Sequence, residues 1–269
     1  MGVLNVTPDS FSDGGRFLAI DAALERGHEL ANAGADLVDV GGESTRPGAE
    51  RVPLADELAR VLPVVSDLAA AGVMVSIDTM RAEVAAAALD AGAVLVNDVS
   101  GGLADPEMLP LLAAAGAPCV LMHWRGHSVD MMQRTVYPDG VVAGVVGELR
   151  QRLDAAVGAG IDVDRIVLDP GIGFAKSPDD NWPLLTAMPQ LAALGRPLLV
   201  GASRKRFLGQ LGAPAGGAAA GNIDRDALTA AVTTLVAAEG AWAVRVHEVS
   251  ENLAAVLVAR AWRQSRGPS

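Results

Sequence analysis

The sequence predicts a single-domain α/β fold of the (β/α)8 TIM-barrel type, with eight parallel strands, spanning residues 1–269. Three observations lead there. Short runs of Val, Leu, Ile and Ala recur eight times, each followed by a helix-length segment. Such runs are strands covered on both faces, as in a parallel sheet. Each run ends in a polar group: Asn5, the Asp39–Gly41–Glu43 stretch, Asp78, Asn97, His123, Asp169, Ser203 and His247. The length of 269 residues is close to the ~250 of one such barrel, whose chemistry sits at the carboxyl ends of its strands.

Strand 1 is expected over Gly2–Val6. The following loop, Thr7–Arg16, is rich in turn formers and reads as a mobile lid, with helix 1 starting near Leu18. Strand 2 covers Asp36–Gly41, and a second lid-like loop, Gly42–Arg51, precedes Pro53, which suits the first turn of helix 2. Strand 3 is Val73–Asp78, with its helix from about Arg81 to Asp90; strand 4 is Ala93–Asp98, with a helix from about Pro106. Strand 5 is Pro118–His123, followed by the long loop Trp124–Gly140 and a helix over Val141–Ala159. Strands 6, 7 and 8 are Arg165–Asp169, Pro197–Ala202 and Ala241–His247, and the helix Ser250–Arg263 closes the ring. Gly212–Gly221, almost all Ala, Gly and Pro, reads as a flexible excursion rather than a domain boundary.

Composition narrows the function. Hydrophobic residues make up 51% and aromatics 3%, which suits tight helix-on-sheet packing and excludes a disordered chain. Cys119 is the one cysteine and lies in an apolar run, so it reads as a core residue in a reduced, cytoplasmic setting. No apolar stretch approaches the ~20 residues of a membrane span. No basic segment precedes an apolar one at the N-terminus, so no signal peptide is expected. A net charge of −11 without a basic stripe argues against nucleic-acid binding. An acidic protein with an anionic substrate must concentrate its few cations locally.

The strand-end acids suggest what is bound. Asp78, Asn97 and Asp169 at the mouth of an apolar barrel suit a flat heterocycle with amidine-like N–H edges. One carboxylate accepts two parallel N–H bonds, while an amide both donates and accepts. An Asp before Thr or Pro also caps turns in ordinary structure, so each acid alone has a plain alternative. The cations lie later: Ser203–Arg204–Lys205–Arg206 after strand 7, and Arg245 with His247 on strand 8. Loops after barrel strands 7 and 8 often bind phosphate. Arg245 and His247 share a face and form a candidate phosphate or pyrophosphate clamp. Arg204–Arg206 could instead be a solvated helix start, although cations there oppose the helix dipole. Lys205 beside Asp78 and Asp169 would help keep both acids ionised. His247–Glu248 is not followed by the second histidine of a zinc motif, and no phosphate-loop or dinucleotide fingerprint occurs. Asn5 could help hold Mg²⁺ if a pyrophosphate supplied the other oxygens.

Seven short motifs in order carry a resemblance that covers nearly the whole chain. They are Gly2–Gly15 (GVLNVTPDSFSDGG), Gly41–Gly48 (GGESTRPG), Ser76–Thr79, Asn97–Gly102, Asp169–Phe174 (DPGIGF), Ser203–Lys205 and Arg245–His247. Together they resemble the bacterial dihydropteroate synthase family, and Met122–Arg125 resembles its mycobacterial and actinobacterial members most. The resemblance implies a transferase of folate biosynthesis with Mg²⁺ as cofactor. The amine of p-aminobenzoate would attack the methylene carbon of 6-hydroxymethyl-7,8-dihydropterin pyrophosphate, releasing pyrophosphate and giving 7,8-dihydropteroate. By matching motifs, Thr45, Asp78, Asn97, Asp169 and Lys205 would hold the pterin. Asn5, Arg245 and His247 would hold the pyrophosphate, with Asn5 on the metal. Thr45, Arg46, Pro47, Phe174 and Arg206 would shape the p-aminobenzoate pocket. Asp13, Arg46, Lys205, Arg245 and His247 would take part in catalysis, with Asp13 and Arg46 on the lids and His247 as a cation. Sulfonamides would act as inhibitors, and a homodimer is expected. Arg206 departs from members that carry Ser there. Two rivals share the barrel: a pterin-binding methyltransferase, which needs no pyrophosphate clamp, and a catalytically silent pterin-binding paralogue.

Overall fold

A computed structural model describes residues 1–7, 16–44, 48–49, 51–211 and 224–266. Its strands are β1 (Gly2–Asn5), β2 (Val38–Gly41), β3 (Val75–Asp78), β4 (Leu95–Asp98), β5 (Cys119–Met122), β6 (Ile166–Asp169), β7 (Leu199–Val200) and β8 (Ala243–Val244). Strands β1 to β6 pair in sequence order, all parallel, and β7 pairs parallel with β8. Single parallel bridges, Leu168 to Leu198 and Gly2 to Val246, join the two pieces at both edges. The Leu168 N–H donates to the Pro197 carbonyl at 2.9 Å, and the Val3 N–H to the Val246 carbonyl at 2.9 Å. The eight strands thus follow one another around a ring.

The helices are α1 (Arg16–Asn32), α2 (Leu54–Ala70), α3 (Ala82–Asp90), α4 (Met108–Ala115), α5 (Val141–Gly158), α6 (Asn181–Thr186), α7 (Met188–Ala192), α8 (Arg225–Ala238) and α9 (Val249–Ser265). They take their places because apolar stripes at helical spacing need the sheet's outer face. Val61, Val64, Val65 and Leu68 of α2, and Val145, Leu149 and Leu153 of α5, are all buried there. None of the described helices is long and apolar enough to cross a membrane. Cys119 is buried in the same layer, and burial pushes its thiol up to about 12, so it is a packing residue.

The strands alternate in a way that builds the site. Outward positions such as Val40, Ile77, Val96, Leu121 and Leu168 join the helix-facing core. Inward positions start apolar: Met1, Leu95, Val120, Val167 and Leu199 plug the amino end of the ring. Two residues further along β4 and β6 they turn polar, as Leu95 gives way to Asn97 and Val167 to Asp169. A hydrophobic plug therefore carries a polar mouth.

Several boundaries differ from the sequence reading. Strands β7 and β8 keep two residues each, since only those pair with each other. No long helix starts at Arg204–Arg206; a single 3₁₀ turn, Leu208–Gln210, follows, and the long helix starts at Arg225 behind the Asp224 cap. The helix-dipole objection to those cations therefore does not apply. The Gly212–Gly221 stretch and much of both expected lids lie outside the described residues, and with them Asp13, Thr45, Arg46 and Pro47.

Candidate active site at the carboxyl end of the barrel

Asp39, in the middle of β2, is the hub of the polar mouth. It is fully buried, and its Oδ2 accepts from Arg245 Nε at 2.6 Å and from Asn97 Nδ2 at 2.9 Å. Arg245, just past β8, also donates through Nη2 to Asp78 Oδ2 at 2.7 Å. One guanidinium therefore bridges acids 167 and 206 residues away in sequence. Asn97 gives one amide N–H to Asp39, which fixes the orientation of its amide plane.

Burial dominates the electrostatics here. It pushes Asp78 up to about 7 against the pull of Arg245, with Asp39 adding like-charge repulsion. Asp169 is also raised by burial, although the Gly171 N–H donates to its Oδ1 at 2.7 Å and Lys205 and Lys176 lie near. Lys205 is pushed down to about 8 by burial and by Arg245. Lys205 does pull Asp169 down, as expected, but desolvation outweighs the neighbouring cations and the net shift of both acids is upward.

Arg245 and His247 likewise differ from the expected paired clamp. Arg245 is committed to Asp39 and Asp78, and burial works against its charge less than those acids favour it. His247 turns instead to Ser203, with Nδ1 2.9 Å from Oγ, while the His247 N–H donates to the same Oγ at 3.1 Å. Arg26 of α1 donates to the His247 carbonyl at 2.9 Å. Burial, Arg245, Arg204 and Lys205 hold His247 down at about 4. It is a neutral hydrogen-bonding group at pH 7, not a cation.

The loop after β7 is set by Arg204, whose backbone is left-handed at φ 57°. Its side chain donates to both carboxylate oxygens of Asp226 at 2.7 Å, and its N–H to Thr229 Oγ1 at 3.2 Å. Lys205 is thereby presented inward, with its Nζ 3.8 Å above the Phe174 ring. Arg206 is exposed at the rim. Asn5 ends β1 opposite Gly41, half-buried, and its side chain has no hydrogen-bond partner among the described residues.

Sequence reasoning missed two supports. Glu57 of α2 is buried, accepts from Thr79 Oγ1 at 2.6 Å and pairs with Arg81. Arg81 also reaches Glu43 Oε2 at 3.0 Å and the Val52 carbonyl at 2.6 Å, so this cluster anchors both ends of the loop after β2. The second support is a chain of Arg125, Glu148, His123 and Lys176 beneath the loop after β6. In it, burial would raise Glu148, but hydrogen bonds from His123 and Arg125 hold it at about 2.

His123 is buried, and burial and Lys176 push it down to about 4 from 6.5. Its contribution to stability is full above about pH 6.5 and is lost as pH falls through about 4. The stability difference between wild type and His123→Gln is therefore expected to shrink by about 3 kcal/mol between those limits. Urea titrations at stepped pH check this, and a difference independent of pH contradicts it.

With the geometry in place, likeness to known proteins is informative. A family model described as pterin binding enzyme matches residues 1–247. A dihydropteroate synthase of Mycobacterium leprae is 53% identical over 262 residues, covering 97% of this chain and 92% of its own. The chain belongs to the dihydropteroate synthase family. A solved Xanthomonas albilineans dihydropteroate synthase with 4-aminobenzoic acid is similar at a TM-score of 0.87 and 43% identity, covering 100% of this chain and 93% of its own. The Yersinia pestis dihydropteroate synthase, solved in a sulfonamide drug complex, is similar at a TM-score of 0.88 and 39% identity, covering 98% and 94%. The family's barrel agrees with the ring described above.

Among the described residues, no group of three or more His, Cys, Asp and Glu side chains could hold a metal by itself. The Asn5 amide oxygen fits a different kind of site. Mg²⁺ takes oxygen ligands, keeps several waters and shares substrate phosphates, and an amide oxygen is of the donor type that could sit beside them.

Proposed function

We infer that this chain is a transferase of folate biosynthesis that condenses p-aminobenzoate with 6-hydroxymethyl-7,8-dihydropterin pyrophosphate. The products are 7,8-dihydropteroate and pyrophosphate. The observation that carries the reading is the Asp39–Arg245–Asp78 bridge with Asn97, Asp169 and Lys205 around it. It makes one polar mouth, with acceptors and donors suited to the edges of a pterin ring.

In this reading Asp78, Asn97 and Asp169 take the N–H and carbonyl edges of the pterin, with Lys205 beside them. Asn5 and the neutral His247 bind the pyrophosphate, and Arg245 supplies positive charge from the barrel floor. Phe174, with the exposed rim at Arg206, borders the p-aminobenzoate side. Asp13, Thr45, Arg46 and Pro47 complete the proposal from the two loops.

The aromatic amine is neutral at pH 7, so its lone pair attacks the methylene carbon without a strong base. The C–N bond forms as the C–O bond breaks, its electron pair leaves on pyrophosphate, and the alkylated amine, now a strong acid, gives one proton to water. The cations at the mouth stabilise the charge that builds on the departing oxygen. Mg²⁺ is proposed as cofactor, held by Asn5, and when bound it supplies charge neutralisation for the pyrophosphate.

Residues 1–269 are proposed to work as one domain in the cytoplasm, with sulfonamides competing for the p-aminobenzoate side. A homodimer is proposed on the exposed apolar stripe of Leu235, Leu253, Leu257, Val258 and Trp262 on the packed pair α8 and α9. Mixing the two substrates with Mg²⁺ is expected to release pyrophosphate and dihydropteroate one for one. Dihydropterin binding without pyrophosphate release would instead favour a methyltransferase or a silent paralogue.

A further inference from the structure

Lys176 lies outside the strand-end set, yet it is only 2% exposed. Its Nζ donates to the Gly171 carbonyl at 2.8 Å and the Phe174 carbonyl at 2.9 Å, and lies 3.1 Å from His123 Nδ1. An ammonium has three donors and no acceptor, so these partners account for all of them. His123 Nδ1 then accepts, and His123 Nε2–H donates to Glu148 Oε2 at 3.0 Å. The charged groups facing Lys176 are Asp169 from β6, Glu148 from α5, Arg125 from the loop after β5 and Lys205 from the loop after β7. Burial pushes Lys176 down to about 7, so the ammonium is held there against its own desolvation.

The two carbonyls belong to the turn that carries Phe174. That turn is closed by the Phe174 N–H donating to the Gly171 carbonyl at 3.0 Å, and pinned by the Gly173 N–H donating to Asn181 Oδ1 at 2.7 Å. Gly171 itself sits at φ 66°, where an added Cβ would lie 2.5 Å from the His123 carbonyl. The turn thus rests directly on the β5 end that Lys176 also grips. Phe174 is the ring over which Lys205 is seated.

We propose that Lys176 is a positioning residue for the aminobenzoate half of the site, fastening the Gly171–Phe174 turn so that Phe174 meets Lys205. The proposal rests on the function inferred above. It separates the two substrates, because the Asp169 backbone is fixed by β6 and its carboxylate touches only the Gly171 end of the turn, whereas Phe174 depends on the whole of it.

Lys176→Met keeps the volume and removes all three donors. Hydrogen exchange of the Gly171–Ala175 amides is expected to quicken about tenfold or more in this variant. KM for p-aminobenzoate is expected to rise about tenfold, with kcat and KM for the pterin pyrophosphate within about threefold. In a Phe174→Ala background the same change should add nothing to KM for p-aminobenzoate, since both act through one ring. Lys176→Gln, with two donors for three acceptors, should fall between and carries the test if the methionine variant does not fold. Exchange at the wild-type rate, equal rises in both KM values, or additive effects in the double variant would overturn the proposal. A wild-type chain that turns over neither substrate would end the functional reading, while the exchange comparison would still decide for or against Lys176.

Discussion

Asp39→Ala is expected to cost about 3–5 kcal/mol of folding stability, the scale for removing one partner of a buried ion pair. Asp39 is fully buried, and its Oδ2 is shared by Arg245 and Asn97. Without it the Arg245 guanidinium keeps only Asp78, whose carboxyl burial already drives toward neutrality. Asn97 loses the acceptor that orients its amide. Urea denaturation of the two proteins at pH 7 reads the difference from the shift in midpoint at constant slope. A loss below about 1 kcal/mol would mean that the mouth does not depend on this hub.

The second large effect concerns turnover. Lys205→Met is expected to lower kcat/KM by about 10²–10³-fold, the scale for losing one preorganised charge-stabilising donor. Stability should move the other way. The folded-state pKa of Lys205, about 8, lies below its ordinary 10.5. Its charge therefore costs stability at neutral pH, a cost that is relieved as pH rises from about 8 to 10.5. Methionine removes the charge and keeps the packing on Phe174. A variant more stable and nearly inactive is the pattern of a residue kept for function. Full activity in Lys205→Met would remove it from the reaction.

How far the sequence could be read depends on which physical quantity each feature needs. The strands are legible because Leu95–Asp98, Val75–Asp78 and Ile166–Asp169 are short, mainly apolar runs ended by polar residues, a local signal. The grouping of Asp78, Asn97 and Asp169 at one mouth followed from strand polarity alone. What was not legible is pairing. Arg245 and His247 follow β8 two residues apart, but nothing local says that Asp39 and Asp78 claim the arginine while Ser203 takes the histidine. Protonation was hidden for the same reason. The low value of His247 comes from burial, from its neighbour Arg245, and from Arg204 and Lys205 brought in from the loop after β7. Asp39 did leave a trace, an acid between Val38 and Val40 at an inward position that has to find a partner. Lys176 left little, since a lysine two residues past Phe174 looks like an ordinary surface charge until its burial is known.

The central claim is that side chains far apart in sequence meet at one end of the ring around a single flat heterocycle. A crystal structure of the chain with the pterin pyrophosphate bound tests it most directly. The account predicts the ring edge-on to Asp78, Asn97 and Asp169 beside Lys205, with the diphosphate toward Asn5 and His247. A pterin bound anywhere other than the carboxyl end of the strands, or one that leaves Asp169 and Asn97 untouched, would contradict it.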